Sequence, residues 1–181
     1  MNTSSHRLTR GLVHVYTGNG KGKTTASLGL ALRATGHGLR VGVLQFMKGS
    51  TVYGELAAAR RLAPELSIEQ VGRDTFVSRS NPDPEDVAMA RKGFDKAIEM
   101  VRSGEYDLIV LDELNCVVDY GMIPLQEVRE LIRLKAPHTE LVLTGRNAHP
   151  DIVALADLVT EMREVKHYYN SGQHARTGIE S

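Results

Sequence analysis

The sequence predicts an α/β fold: a mostly parallel sheet with helices on both faces. Two observations carry the prediction. Apolar strand-like runs alternate with helical patterns along the chain, and the first run leads through a glycine-rich turn into a helix. Parallel strands need crossover connections, and the intervening helices supply them while covering both faces of the sheet.

The first strand is Leu12–Tyr16, and the helix behind the turn is Lys23–Thr35, ended by Gly36-His37-Gly38. Val41–Phe46 is a buried second strand, and Gly54–Leu62 a helix that stops before Pro64, because the residue preceding proline avoids the helical region. Leu66–Val71 makes the third strand. In Pro84–Arg102, Val87, Ala90, Phe94, Ala97, Ile98 and Val101 recur at helical spacing, and Asn81-Pro82-Asp83-Pro84-Glu85 supplies the capping chemistry. Leu108–Leu111 is the fourth strand, Leu125–Leu134 a helix and Leu141–Leu143 the fifth strand. Pro150–Leu155 opens another helix, and Leu158–Met162 forms a short last strand. The 181 residues fit one domain over 1–181, with 1–10 a flexible arm.

Composition narrows the partners. Lys plus Arg number 22 and so do Asp plus Glu, so no global field draws the chain to nucleic acid or an anionic membrane. No apolar run approaches the roughly 18 residues of a membrane span, and Met1–Arg10 lacks the apolar core of a signal peptide. The single cysteine, Cys116, has no intrachain partner, so a reducing cytoplasm suits the chain and Cys116 reads as a small buried residue. His167 and His174 stand seven apart without other ligand types nearby, so no transition-metal site is expected.

Chemistry begins at the glycine-rich turn. In Thr17-Gly18-Asn19-Gly20-Lys21-Gly22-Lys23-Thr24-Thr25 the glycines let successive N–H groups point inward at phosphate oxygens, and the next helix adds its positive N-terminal end. Lys23 reaches a terminal phosphate, and the Thr24 hydroxyl ligates magnesium. The common loop pattern wants glycine at position 17, where Thr17 stands. In parallel sheets ligands gather at the carboxyl ends of the strands. The fourth strand ends in Asp112-Glu113, where an acid holds magnesium directly or through water; spacing leaves open which of the two touches the ion. Burying both without a cation would be costly, which points to a metal. Lys48 follows the second strand and Arg146 the fifth, so both can face the ligand. These residues describe a magnesium–nucleotide pocket and leave its reaction open between a hydrolytic ATPase and a small-molecule kinase.

Several segments in series carry a resemblance. Gly18-Asn-Gly-Lys-Gly-Lys-Thr-Thr25, Gln45-Phe-Met-Lys-Gly49, Val110-Leu-Asp-Glu-Leu-Asn115, Leu143-Thr-Gly-Arg146, Ala156-Asp-Leu-Val-Thr-Glu-Met162 and Lys166-His-Tyr-Tyr169 stand in family order. Together they resemble the ATP-dependent corrinoid adenosyltransferases of cobalamin biosynthesis and salvage, of the P-loop type, from about Gly11 to Glu180. The resemblance implies a P-loop NTPase-like (RecA-like) sheet. It also implies a reaction in which a cob(I)alt corrinoid attacks the 5′ carbon of ATP and expels triphosphate. Lys21, Lys23 and the amides of Gly18, Asn19, Gly20, Gly22 and Thr25 then stabilise the leaving group, and Thr24 with Glu113 or Asp112 contacts Mg2+. A homodimer and a flavoprotein reductase are the implied partners. Family members hold the corrinoid without its lower axial ligand against apolar or aromatic side chains, with Gly-Phe-Thr-Trp after the third strand. This chain reads Gly72-Arg73-Asp74-Thr75-Phe76-Val77 and contains no tryptophan. Phe76 is therefore either a corrinoid contact or a core phenylalanine.

Overall fold

The computed structural model describes residues 7–50 and 52–180, so residues 1–6 of the expected N-terminal arm lie outside the described residues. Six strands, β1 (Val13–Thr17), β2 (Val41–Phe46), β3 (Leu66–Val71), β4 (Leu108–Asp112), β5 (Glu140–Thr144) and β6 (Leu158–Glu161), form one sheet in the order β3-β2-β4-β5-β1-β6. Every strand pair in it is parallel. The helices are α1 (Lys23–Thr35), α2 (Gly54–Arg61), α3 (Pro84–Ser103), α4 (Leu114–Asp119), α5 (Leu125–Leu134) and α6 (Pro150–Leu155). The α/β sheet expected from the alternation of runs is therefore the one observed.

Strand periodicity sorts the core into two layers. Val43, Val110 and Val142 face one side, where they pack with Ala31 and Ala34 of α1 and Ala59 of α2. Their neighbours Leu44, Leu111 and Leu143 face the other side, against Phe94 and Val101 of α3, Val117 of α4, Leu131 of α5 and Ile152 of α6. The buried stripe of α1 is Lys23, Ser27, Ala31 and Ala34, and its small side chains let the helix lie close on the sheet. Helix α3 opens with an Asp83 side chain accepting from the Glu85 N–H, has Pro84 in its first turn, and closes at Gly104 in the left-handed region.

Several element ends shift by one residue from the sequence reading, and three differences bear on the site. Strand β4 runs one residue further, so Asp112 is its last member and fully buried. A short α4 follows at once, entered through Glu113 in a left-handed conformation (φ 64°). The C-terminal segment, which shows no period in sequence, contains a 3-10 turn over Tyr168–Ser171. Phe76 is 94% exposed in the segment between β3 and α3, so it is not a core residue. Its neighbour Val77 is buried instead, and Arg73, bonded to buried Asp86 at 2.7 Å, ties the base of the segment to α3.

Candidate functional site

The strand registers place one polar row across the carboxyl end of the sheet. Gln70 pairs with Gln45, Gln45 with Asp112, and Thr144 with Tyr16, and Asp112 is next to Thr144 because Leu111 and Leu143 are paired one step earlier. Gln45, Asp112 and Thr144 each stand two residues past Val43, Val110 and Val142, so they share the α1 face. The first turn of α1 lies over this row. The Thr24 hydroxyl donates to Asp112 Oδ1 at 2.9 Å, and the Thr144 hydroxyl donates to the same oxygen at 2.6 Å.

Asp112 Oδ2 accepts from Lys48 Nζ at 2.8 Å and, at 3.4 Å, from Gln45 Nε2. A lysine of the protein thus pairs with the buried carboxylate, at the strand tip where the sequence reading expects magnesium. Burial alone would pull the Lys48 pKa down, but the charge and hydrogen bond of Asp112 outweigh it and hold it above 10.5. Lys48 owes its place to backbone crowding. A Cβ on Gly72 would fall 2.5 Å from the Lys48 nitrogen, so the turns after β2 and β3 touch through a bare glycine.

The glycine-rich loop is shaped by the segment after β6. Gly20 N–H donates to the Met162 carbonyl at 2.7 Å, and Met162 N–H donates to Thr17 at 2.8 Å. Gly18 has φ 92°, and a Cβ there would lie 2.4 Å from the Met162 oxygen. The positive φ thus falls at Gly18, and Thr17 is simply the last residue of β1, its hydroxyl accepting from the Ala148 N–H at 3.1 Å. Gly18→Ala is expected to push Met162 off the loop, lowering stability by roughly 1–3 kcal/mol with a matching loss of ATP affinity. Urea unfolding and calorimetric ATP titration would check this; a variant with unchanged midpoint and affinity would refute the steric argument. Lys23 Nζ donates to the carbonyls of Gly18 and Gly20 at 2.7 and 2.9 Å. Burial lowers its pKa, Glu113 opposes that, and Arg146 adds to it.

These parts line a cleft of about 580 Å³ bordered by the loop from Asn19 to Thr25, Lys48, Glu113 and Arg146. Asp112 is not on its wall; Glu113 is. The Glu113 N–H donates to Thr144 Oγ1 at 3.0 Å, and its Oε2 accepts from the Cys116 thiol at 2.9 Å. Burial first and then the Glu113 charge push the Cys116 thiol well above its ordinary pKa of 9.0. Phe76 does not line this cleft.

Sequence reasoning missed several residues of the wall: Leu28, Tyr53, Glu55 and, from the far end of the chain, His167, Gly178, Ile179 and Glu180. The C-terminal segment that lies at the cleft is bonded to itself. The Tyr168 hydroxyl donates to Glu180, Arg176 pairs with Glu180 at 3.2 Å, and its guanidinium lies 5.1 Å from the Tyr168 ring centre. Arg176 first, then Tyr168, hold the Glu180 carboxyl down to about 2. The motif Lys166-His-Tyr-Tyr169 was the only signal for this closure.

Comparison with known proteins agrees with this geometry. Residues 9–181 match the family described as "ATP:corrinoid adenosyltransferase BtuR/CobO/CobP". The chain is 41% identical over 172 residues to the corrinoid adenosyltransferase of Escherichia coli K12, covering 94% of this chain and 86% of that protein. Identity to corrinoid adenosyltransferase CobA of Salmonella typhimurium is also 41% over 172 residues, with the same shares of 94% and 86%. To the Pseudomonas aeruginosa corrinoid adenosyltransferase it is 38% over 171 residues, covering 94% and 84%.

Proposed function

The chain belongs to the ATP:corrinoid adenosyltransferase family, and from that premise we propose how this cleft performs the family's reaction. The protein transfers the 5′-deoxyadenosyl group of ATP to the cobalt of a reduced corrinoid, in adenosylcobalamin biosynthesis or salvage. In that step the cobalt(I) electron pair forms the cobalt–carbon bond as the C5′–O bond breaks, and triphosphate leaves with the bonding electrons. Cobalt is the nucleophile, so no protein base is required. The protein's work is to orient the ribose carbon and to stabilise charge on the leaving triphosphate.

The observation that carries the reading is the convergence of Lys23, Thr24, Lys48, Glu113 and Arg146 on one cleft behind a glycine-rich loop. A phosphate loop after β1, and an acid at the tip of β4 with β5 between them, supports a P-loop NTPase-like, RecA-like sheet in one domain. Lys21, Lys23 and the N–H groups of the loop hold the triphosphate, and Arg146 meets it from the β5 side. Thr24 commits its proton to Asp112, which leaves its oxygen lone pairs free for a cation. The cleft's oxygen donors, Thr24 and Glu113, suit magnesium, which needs only one or two protein ligands beside phosphate and water. Bound there, magnesium supplies neutralisation of the triphosphate's charge. Glu113 is the direct ligand in this reading, because Asp112 is fully buried and occupied by Thr24, Thr144 and Lys48.

Phe76 contacts the corrinoid. Its 94% exposure beside buried Val77 is the support: the segment turns an aromatic face outward while its neighbour anchors it. The homodimer and the flavoprotein reductase rest on the family resemblance. No described helix is long and apolar enough to cross a membrane, and the cytoplasmic reading rests on the unpaired Cys116. The test is direct. Protein, ATP, magnesium and chemically reduced cobalamin should give the light-sensitive spectrum of adenosylcobalamin and one intact triphosphate per turnover. ADP and phosphate formed without any corrinoid would instead mark an ATPase.

A further inference from the structure

We propose that Cys116 is a positioning residue: its thiol fixes the Glu113 carboxylate so that one oxygen stays free for magnesium. The proposal deepens the reading above and rests on it. Cys116 sits one turn into α4, and its sulfur stands between two segments that both reach the cleft. It donates to Glu113 Oε2 at 2.9 Å and accepts from the Arg146 N–H at 3.2 Å. The first segment is the turn after β4, the second the loop after β5. One sulfur therefore bonds both the Glu113 carboxylate and the Arg146 backbone, two residues of the cleft wall.

The backbone around it explains why such a tie is needed. Glu113 and Asn147 are non-glycine residues at φ 64° and 53°, and Gly145 lies at φ 129°. Left-handed non-glycine positions such as Glu113 and Asn147 cost on the order of 1–3 kcal/mol each and persist only where the surroundings hold them. The α4 backbone presses against the β5 loop: a Cβ on Gly145 would lie 2.9 Å from the Cys116 nitrogen. Cys116 is only 5% exposed, so its sulfur is not placed to attack a substrate. What it can do is hold its neighbour. A glutamate side chain has three rotatable bonds, and among the described residues the thiol is the only hydrogen-bond partner of this carboxylate. With Oε2 engaged, Oε1 is left for a cation that prefers single-oxygen ligands in strict geometry.

The experiment titrates Mn2+ into the protein–ATP complex without corrinoid and follows it by electron paramagnetic resonance. Outer partners of metal ligands are worth 10–100-fold in affinity, so Cys116→Ala and Cys116→Val should weaken Mn2+ binding by about tenfold. Cys116→Ser keeps both hydrogen bonds and should stay within about threefold of the unaltered protein. ATP binding in the presence of a chelator, which reads the Arg146 side of the tie, should fall less than Mn2+ affinity in the alanine and valine variants, whereas a general packing defect would lower both alike. Valine fills the thiol's space and serine keeps its bonds, so these two decide the matter if alanine unfolds the chain. Wild-type Mn2+ affinity in the valine variant, or a serine variant as weak as valine, would overturn the role of Cys116. Absence of ATP-dependent Mn2+ binding by the unaltered protein would overturn the reading of the cleft itself.

Discussion

Lys23→Ala is expected to lower the turnover of adenosylcobalamin formation by about 10²–10³-fold, the loss that follows removal of one donor aimed at developing charge. The leaving group is an entire triphosphate, so charge accumulates at the phosphate end while the bond that breaks is at C5′. Lys23 is the most enclosed cation of the loop, at 7% exposure, and is anchored on the Gly18 and Gly20 carbonyls. Its ammonium is therefore preorganised beside the loop amides proposed to hold the triphosphate, and water screens it little. The substitution also removes two charge-assisted hydrogen bonds within the loop, so a modest fall in melting temperature should accompany it. Lys23→Met separates packing from the ammonium, because it keeps the aliphatic stem against the loop and deletes the charge together with its two hydrogen bonds. Both variants should retain the native circular dichroism spectrum while losing activity to the same degree. Turnover within about threefold of the unaltered protein would show that the glycine-rich loop is not where the triphosphate binds.

Much of this architecture could be read in the chain because its boundaries are chemical. Val41–Phe46 and Leu66–Val71 match the observed strands residue for residue, and Lys23–Thr35 matches the helix, since glycines or an abrupt loss of apolar residues delimit them. Helix α4 could not be read. Leu114-Asn-Cys-Val-Val-Asp carries a β-branched pair, and it starts from a left-handed Glu113 with no side-chain cap, so nothing in its pattern announces a helix. The site was legible in part. The residue at each strand tip was visible, but which tips share a face depends on register between strands distant in sequence. Only that register shows Asp112 inside the row, neutralised by Lys48, and Glu113 outside it on the cleft wall. The C-terminal segment is a further case. Its order comes from contacts between Tyr168, Arg176 and Glu180 rather than from a period, so a pattern-based reading sees only polar chain.

Asp112 offers the largest expected effect on stability. Its carboxylate has no exposure and takes hydrogen bonds from two hydroxyls and from Lys48, whose side chain is 17% exposed. Asp112→Ala would leave that ammonium buried without its counter-charge, and breaking such a pair from one side typically costs about 3–5 kcal/mol. Urea unfolding should register that loss. The double variant Asp112→Ala, Lys48→Met should recover a substantial part of it, because the penalty belongs to the stranded charge more than to the lost attraction. The pH dependence has a definite sign. The folded pKa of Lys48 is raised above 10.5, so the pair's contribution is fully present below that value and is lost as pH rises through the raised one. In Asp112→Ala burial no longer has that carboxylate against it, so the stranded ammonium loses its proton more easily. The gap in stability between the unaltered protein and this variant should therefore be constant near neutrality and begin to narrow as pH rises toward 10.5. A gap that shows no narrowing at any alkaline pH would assign the effect to another group. Metal-dependent ATP binding should fail together with stability, because Thr24 is oriented through Asp112 and would lose the acceptor that turns its lone pairs to the cleft. If Asp112→Ala instead kept full Mn2+ affinity, Thr24 would owe its orientation to α1 alone, and the buried acid would serve only to neutralise Lys48.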